Sequence, residues 1–528
     1  MLRIELAAGK NFNYAGAVKF NLRNPFFIFG LVLLWRVALL VFTAQPIPAN
    51  DAFIFDGAVG NWLRHGSYVN PCMIVAYPIS SQQVFSLYPP VYQVALLAWM
   101  PLFGTSALAM MTMHLALFAL SAFLVLSIVK KFFPVTANYL PAALLLFGIT
   151  FGDRPEDLAH VFGLVSLGLV ARQLAAANRS LKTAAAIALA LLLALYTSVI
   201  AGAFYFGAGF LACAADWLSS RRHRLFVPFV AAAAMFAALT FSIAKLEPLW
   251  WQGFLENARQ QSVITAGFHR PRLFDLLKLV RTAPVFLLAA AFLPFAFARR
   301  NQIRASEGVW PRLVAGIFLM GGILLVADMT LIAPDYVGYV IFTQILLAAG
   351  LLVLSETVFP EKIRLVRVLI LGCVMLVSVR AVGMTTWGAA CAWKNSYWRT
   401  QETLRLELAP FAKTDAPVVV SSAFLYRAQK LGVRHPIHSD WFYDRSNFAP
   451  DADFDGLVRL RPPKLVLTQF DYYRSLVPLL EKLRRHPELV KIQVRDLAAV
   501  RPPDASPSFQ RVVQNISWAP VMVDLEWK

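Results

Sequence analysis

Apolar positions in this chain come in long unbroken runs rather than in an alternating pattern, and polar residues are confined mainly to short breaks between them. A helical run of about 17–24 residues matches the ~30 Å hydrocarbon core of a bilayer, so each such run predicts a membrane-spanning helix. Spans are predicted near 25–44, 106–129, 136–152, 158–173, 183–199, 201–217, 225–243, 283–298, 313–332, 337–354 and 366–386, about 11 in all by the hydropathy criterion. The pair 183–217 is tight for two crossings. Residues 91–103, after Pro89-Pro90, form an apolar stretch only ~20 Å long as a helix, too short to span comfortably, and are read as interfacial or re-entrant. The first run has no small-residue cleavage site after it and is long enough to stay in the bilayer, so it reads as an anchor rather than a cleaved signal.

The pattern changes after residue 387. Short β-branched runs (Val418-Val419-Val420, Lys464 to Thr468) alternate with helical patterns such as Ser475 to Arg485, among frequent charges and prolines. This predicts a small α/β domain of ~130 residues. The expected organisation is a polytopic α-helical membrane domain over 1–390, with a long outer loop at 45–105, followed by an extracytoplasmic α/β domain over 391–528.

Composition sharpens this reading. Of 528 residues, 58% are hydrophobic and 15% charged, against roughly 45–50% and 25% in soluble domains, which excludes a single soluble globule. The net charge of +19, from 49 basic and 30 acidic residues, would suggest nucleic acid in a soluble chain. Here the basic clusters Lys130/Lys131, Arg172/Arg179/Lys182, Arg221/Arg222/Arg224, Arg299/Arg300/Arg304/Arg312 and Lys362/Arg364/Arg367 fall in short loops on one face. The positive-inside rule and anionic lipid headgroups account for them, and no nucleic-acid partner is expected. Arg3, Lys10, Lys19 and Arg23 before the first span place the N-terminus in the cytoplasm, and an odd number of spans then places the C-terminal domain outside.

Familiar catalytic signatures are absent: there is no GxGxxG after a strand, no P-loop, no HExxH and no GxSxG. Cys72, Cys213, Cys373 and Cys391 lack metal spacing, and His435-Pro436-Ile437-His438-Ser439-Asp440 offers only two histidines around a helix-breaking proline. The informative residues are acids in outer loops. Asp51 and Asp56 stand at the mouth of the first span, and Asp153, Glu156 and Asp157 crowd a turn of five residues. Single interfacial carboxylates are solvated by headgroup water and need no function, but three in one turn repel unless a cation, an arginine or a proton holds them. A divalent cation is compatible with this grouping and is not required by it. The loop after residue 243 carries Lys245, Arg259, His269, Arg270, Arg272, Lys278 and Arg281, a basic excess on the side where it is disfavoured. Arg259, Arg270 and Arg272 suit bidentate contact with a lipid-linked phosphate, and equally with headgroup phosphates or with Glu247 and Glu256. Trp250-Trp251 reads as an interfacial belt, and Arg36, inside the first span, as a functional or interhelical residue.

The first outer loop has a further pattern: Asp51 beyond the span, a short amphipathic helix ending Gly66-Ser67-Tyr68-Val69-Asn70-Pro71, then Leu87-Tyr88-Pro89-Pro90-Val91-Tyr92, then an apolar segment ending Phe103-Gly104. It resembles the first outer loop of GT-C glycosyltransferases, in particular the branch of protein O-mannosyltransferases and lipid A aminoarabinose transferases. The paired Asp-Glu usual there is Asp51-Ala52 in this chain. The resemblance implies a GT-C-like membrane fold, a polyprenyl-phosphate-linked sugar as donor, Asp51 as the catalytic carboxylate within a catalytic loop 45–105, and a second acidic turn at 153–157.

Elementary chemistry asks for the same parts. An acceptor hydroxyl attacking an anomeric carbon needs a carboxylate as base, and the departing phosphate needs stabilisation. The expectation is an inverting glycosyltransferase of the bacterial inner membrane with Asp51 catalytic, Asp56, Asp153, Glu156 and Asp157 supporting, Arg259, Arg270 and Arg272 on the donor phosphate, and Tyr88 in the substrate loop. Its partners are the lipid-linked sugar, membrane lipids and a glycan, lipid or protein acceptor. Asp51 and the acidic turn are expected to face one another across an outer cavity. The competing expectations are a transporter or flippase of lipid-linked precursors, which should show repeated halves and midplane polar residues, and a non-catalytic assembly protein.

Overall fold

The computed structural model describes residues 24–43, 52–73, 78–134, 139–149, 154–176, 180–265, 280, 283–298, 308–331, 341–358, 363–394, 397–439, 452–472, 476–497 and 520–528. Long apolar runs give long helices. Seven helices are long and apolar enough to cross a membrane among the described residues: α1 (Pro25–Thr43), α5 (Ala107–Phe132), α7 (Pro155–Ala175), α9 (Val199–Ser220), α10 (Val227–Leu246, preceded by a 3-10 turn), α13 (Trp310–Leu331) and α15 (Ile363–Lys394). Four shorter apolar helices accompany them: α4 (Val91–Phe103), α8 (Leu181–Thr197), α12 (Pro284–Ala298) and α14 (Thr343–Val358). Between these lie α2 (Ala52–His65), α3 (Pro78–Gln82), α6 (Leu140–Leu144) and α11 (Pro248–Thr265).

The span expected at 136–152 takes a different form. Its described part is α6 continued by a 3-10 turn, Leu145–Phe147, ~12 Å of helix against a ~30 Å core. Pro141 starts the helix, and backbone that leaves helical geometry is tolerated at membrane depth where protein surrounds it. Here α6 packs on α1, α14 and α15. Arg36 of α1, 4% exposed, donates from Nη2 to the Ile149 carbonyl at 2.6 Å and lies over the Trp35 and Phe118 rings. The intramembrane charge thus completes an interrupted helix.

The pair 183–217 folds as two helices joined by Ser198 alone, which is extended (φ −148°, ψ 119°). So tight a reversal requires a small residue opposite: a Cβ on Gly202 would sit 2.6 Å from the Leu195 Cα and 2.8 Å from the Ala194 carbonyl carbon. The most enclosed span, α7, packs against α5, α8 and α9, and 67% of its apolar window is buried. Its acidic N-terminus lies beside the start of α5 and the Ser198 turn. Lys130/Lys131, Arg172 and Arg221 close the far ends of α5, α7 and α9, ~24–33 Å away at 1.5 Å per residue.

Beyond α15 the chain forms α16 (Tyr397–Leu408) and a five-stranded sheet: β1 (Val418–Val420), β2 (Pro436–His438), β3 (Lys464–Thr468), β4 (Leu489–Asp496) and β5 (Pro520–Trp527), in the order β2-β1-β3-β5-β4. β1 is parallel to β2 and β3, with Val419 opposite Ile437 and Leu465, whereas β5 runs antiparallel to β3 and β4. The Val418-Val419-Val420 run is buried throughout, as a central parallel strand must be. Helices α17 (Ser422–Lys430), α18 (Ala452–Leu460) and α19 (Val477–Leu483) complete the α/β unit. Lys464, 6% exposed, pairs with Glu407 of α16 and with Asp524 of β5 at 2.7 Å, and Arg495 of β4 contacts the same two acids. α17 packs against both the sheet and α2 of the membrane domain.

Candidate functional site

The first loop is held by the polar residues of its own motif. α2 stops where Gly66 adopts φ +71°, the left-handed conformation suited to glycine. Asn70 then folds back: its Nδ2 donates to the Phe53 and Ile54 carbonyls at 2.9 and 3.0 Å, and its Oδ1 accepts from the Cys72 amide at 3.3 Å. Tyr68 packs edge-on against Trp62 and Phe85. The Gly-x-Tyr-x-Asn-Pro motif is therefore a clamp on α2, the helix that begins immediately after Asp51.

That clamp buries Asp56 completely. Tyr92, at the second position of α4, donates to Asp56 Oδ1 at 2.8 Å, and Tyr426 of α17 donates to Oδ2 at 2.6 Å. Burial pushes the Asp56 carboxyl up from 3.8 to about 6, against the opposing pull of His114 and the two hydroxyls. The Tyr92 oxygen also lies 3.0 Å from His114 Nε2, and His114 Nδ1 lies 2.8 Å from Asp157 Oδ2. Desolvated carboxylates need such partners, and the two acids with their three partners come from five separate elements.

The acidic turn is arranged similarly. Pro155 occupies the first position of α7, with Glu156 and Asp157 in the first turn, where the helix dipole favours negative charge. Glu156 Oε1 accepts from Tyr88 at 3.2 Å and from Ser198 at 3.1 Å, and its Oε2 lies 3.4 Å from Arg154 Nε. Arg154 in turn covers the Phe55 ring at 5.8 Å. The repulsion expected within this turn is relieved by an arginine, a histidine and two hydroxyls. α11 closes the site from the side, with Asn257 Nδ2 donating to the Leu87 carbonyl at 3.0 Å, while Trp250 and Trp251 stack on Phe254.

The structure thus brings together Asp56, Tyr88, Glu156 and Asp157. Asp51, Asp153, Arg270 and Arg272 lie outside the described residues, as does the side chain of Arg259, whose backbone belongs to α11. Asp440 of the His-Pro-Ile-His-Ser-Asp segment lies outside them too, and His438 is a buried residue of β2. No group of three His, Cys, Asp or Glu suited to a metal occurs among the described residues. The sequence pattern includes Tyr92 only as the last residue of the Leu87 to Tyr92 motif, without a role, and does not single out His114, Ser198 or Tyr426. A histidine in an otherwise apolar run is a local signal for His114, and nothing in the sequence links Tyr426 to Asp56.

No protein-family model matches the chain, and no curated protein matches it. Among solved structures, ArnT from Cupriavidus metallidurans bound to undecaprenyl phosphate superposes with a TM-score of 0.51 at 14% identity, covering 94% of this chain and 97% of that one. The archaeal oligosaccharyltransferase AglB from Archaeoglobus fulgidus, in complex with an inhibitory peptide and a dolichol-phosphate, aligns over 84% of this chain and 69% of its own at 10% identity and a TM-score of 0.48. The superposition on ArnT runs through both the helical bundle and the C-terminal domain. This chain has the GT-C fold.

Proposed function

We propose that the chain is an inverting glycosyltransferase that moves a sugar from a polyprenyl-phosphate donor to an acceptor hydroxyl on the outer face of a bacterial inner membrane. One observation carries the reading: on a GT-C fold, Asp56 of the first loop and the turn that holds Glu156 and Asp157 belong to a single buried acidic site at one end of the bundle. In this reading Asp51 takes the acceptor proton as the acceptor oxygen bonds to the anomeric carbon. The bond from that carbon to the phosphate breaks, and the lipid phosphate leaves with the electron pair. Arg259, Arg270 and Arg272 hold that phosphate, and Tyr88 and Glu156 line the substrate side of the loop. The contact of Phe55 with Arg154 brings the first loop and the acidic turn together. The basic ends of α5, α7 and α9, opposite the site, support a cytoplasmic far face by the positive-inside rule and an extracytoplasmic C-terminal domain.

Asp51→Asn tests this, because it keeps the shape and removes the base. With purified protein and a panel of polyprenyl-phosphate sugars, transfer should fall by ~10²–10⁴-fold while donor binding persists. Full transfer by the variant would refute the assignment, and a wild-type chain that carries the donor across vesicles without cleaving it would establish the flippase reading instead.

A further inference from the structure

The hydrogen bonds from Asp56 through Tyr92 and His114 to Asp157 form a continuous chain with links of 2.8, 3.0 and 2.8 Å, and each link requires one proton. Two arrangements satisfy all the links. In the first, Asp56 and Asp157 are ionised, Tyr92 donates to Asp56, and a doubly protonated His114 donates to both Tyr92 and Asp157. In the second, Asp56 carries a proton donated to the Tyr92 oxygen, Tyr92 donates to His114 Nε2, and a neutral His114 donates from Nδ1 to Asp157. Both contain the same protons and the same net charge of one negative unit. They interconvert when two protons shift together through the Tyr92 hydroxyl, with nothing entering or leaving.

The C-terminal domain biases this balance. Tyr426 donates to the second oxygen of Asp56 at 2.6 Å, and a hydrogen bond to a carboxylate is roughly twice as strong as one to a neutral acid. Tyr426 is placed by its edge-on contact with Phe53, with ring centroids 5.1 Å apart. One turn further along α17, Gln429 meets the Gly57 carbonyl and Arg64 of α2. On the elements packed against α2, the titratable and charged groups are Tyr92, Cys72 of the 71–73 turn, and Tyr426, Arg427 and Lys430 of α17. Beyond them stand His114 of α5 and the acids of α7.

We propose that Tyr92, His114 and Tyr426 are positioning residues: together they keep the shared proton on His114 and Asp56 ionised, and the charged bonds of Asp56 to α4 and α17 fix α2 in the arrangement that transfer requires. The C-terminal domain is then part of the working site, docked by Tyr426. This inference rests on the transferase reading for its consequence, but the shared proton does not.

The test uses the purified full-length chain in detergent. Tyr426→Phe removes one hydroxyl and leaves the ring against Phe53. In pH-difference infrared spectra, the carboxylic-acid carbonyl band that disappears in Asp56→Asn reports protonated Asp56. It should be absent from the wild type at neutral pH; in Tyr426→Phe, read against its Asp56→Asn double variant, a component should persist through neutral pH without a midpoint, because that proton comes from His114 rather than from solvent, and the part that does titrate should move up by about one unit, the tenfold shift expected for one lost hydrogen bond to a charged group. In transfer assays the same variant should lose about twofold in kcat at pH 7 and close to tenfold below about pH 6, with the donor KM unchanged, because the acid limb of its pH profile moves up by the same unit. An unmoved band midpoint, or a moved midpoint with unaltered kcat, overturns the proposal. A shifted band in a chain whose wild type transfers no sugar would leave the shared proton standing and defeat the transferase reading alone.

Discussion

Replacing Asp56 by asparagine should alter the pH dependence of stability more than stability at any one pH. Burial raises this carboxyl from 3.8 to about 6, with the Tyr92 and Tyr426 hydroxyls already acting in the opposite direction. The difference of about 2.2 units corresponds to ~3 kcal/mol, and because Asp56 is wholly buried solvent does not screen it. Between the two values the folded chain holds this proton more tightly than the unfolded chain does. Stability from this group therefore falls as pH rises through the window from about 4 to about 6, and the full penalty stands above it. Asparagine has no proton to lose and keeps the size of the side chain. Denaturation isotherms of both proteins in the same detergent should therefore diverge in the variant's favour by ~2–3 kcal/mol between about pH 4 and about pH 7. Titrating groups outside the chain of hydrogen bonds from Asp56 through Tyr92 and His114 to Asp157 cancel in the comparison. Parallel curves would refute the picture of a desolvated carboxylate that is ionised at neutral pH.

Gly202→Ala should destabilise the bundle by ~1–3 kcal/mol, because the added methyl meets the backbone of Leu195 and Ala194 at the Ser198 turn; an unchanged unfolding midpoint in detergent would count against that close approach. Lys464→Met leaves Glu407 and Asp524 with Arg495 as their remaining partner in the cluster. A fully buried pair broken on one side loses ~3–5 kcal/mol; Asp524 is 38% exposed, so a loss of ~2 kcal/mol is expected for the C-terminal domain, read as earlier proteolysis of that domain on heating.

How far the sequence discloses this molecule depends on the range of the interaction. Long apolar runs are local, and α1, α5, α9 and α15 stand close to where hydropathy places them. Residues 136–152 mislead for the same reason, since hydropathy counts composition, and a segment enclosed by α1, α14 and α15 keeps apolar side chains without needing a continuous helix. In the C-terminal domain, the buried parallel strands β1 and β3 are readable as β-branched runs. The edge and antiparallel strands β4 and β5, which carry Arg495, Asp524 and Glu526, are not. Asp56, Tyr88, Glu156 and Asp157 stand out because charge and Tyr-Pro-Pro are rare in this chain. Tyr92 and His114 sit within apolar stretches, and Tyr426 meets Asp56 across a separation of 370 residues, a contact that no local pattern encodes.

Arg36 carries a consequence for how the chain is made. Its acceptor, the Ile149 carbonyl, lies 113 residues downstream. At ~5–20 residues per second of synthesis, the guanidinium of the first span exists for roughly 6–23 s before its partner has been polymerised. Phe118, the second ring beneath the guanidinium, likewise arrives only with α5. The bond that satisfies the first span can therefore close only after α5 and α6 have been made, so the last polar contact of α1 belongs to a later stage of synthesis than α1 itself.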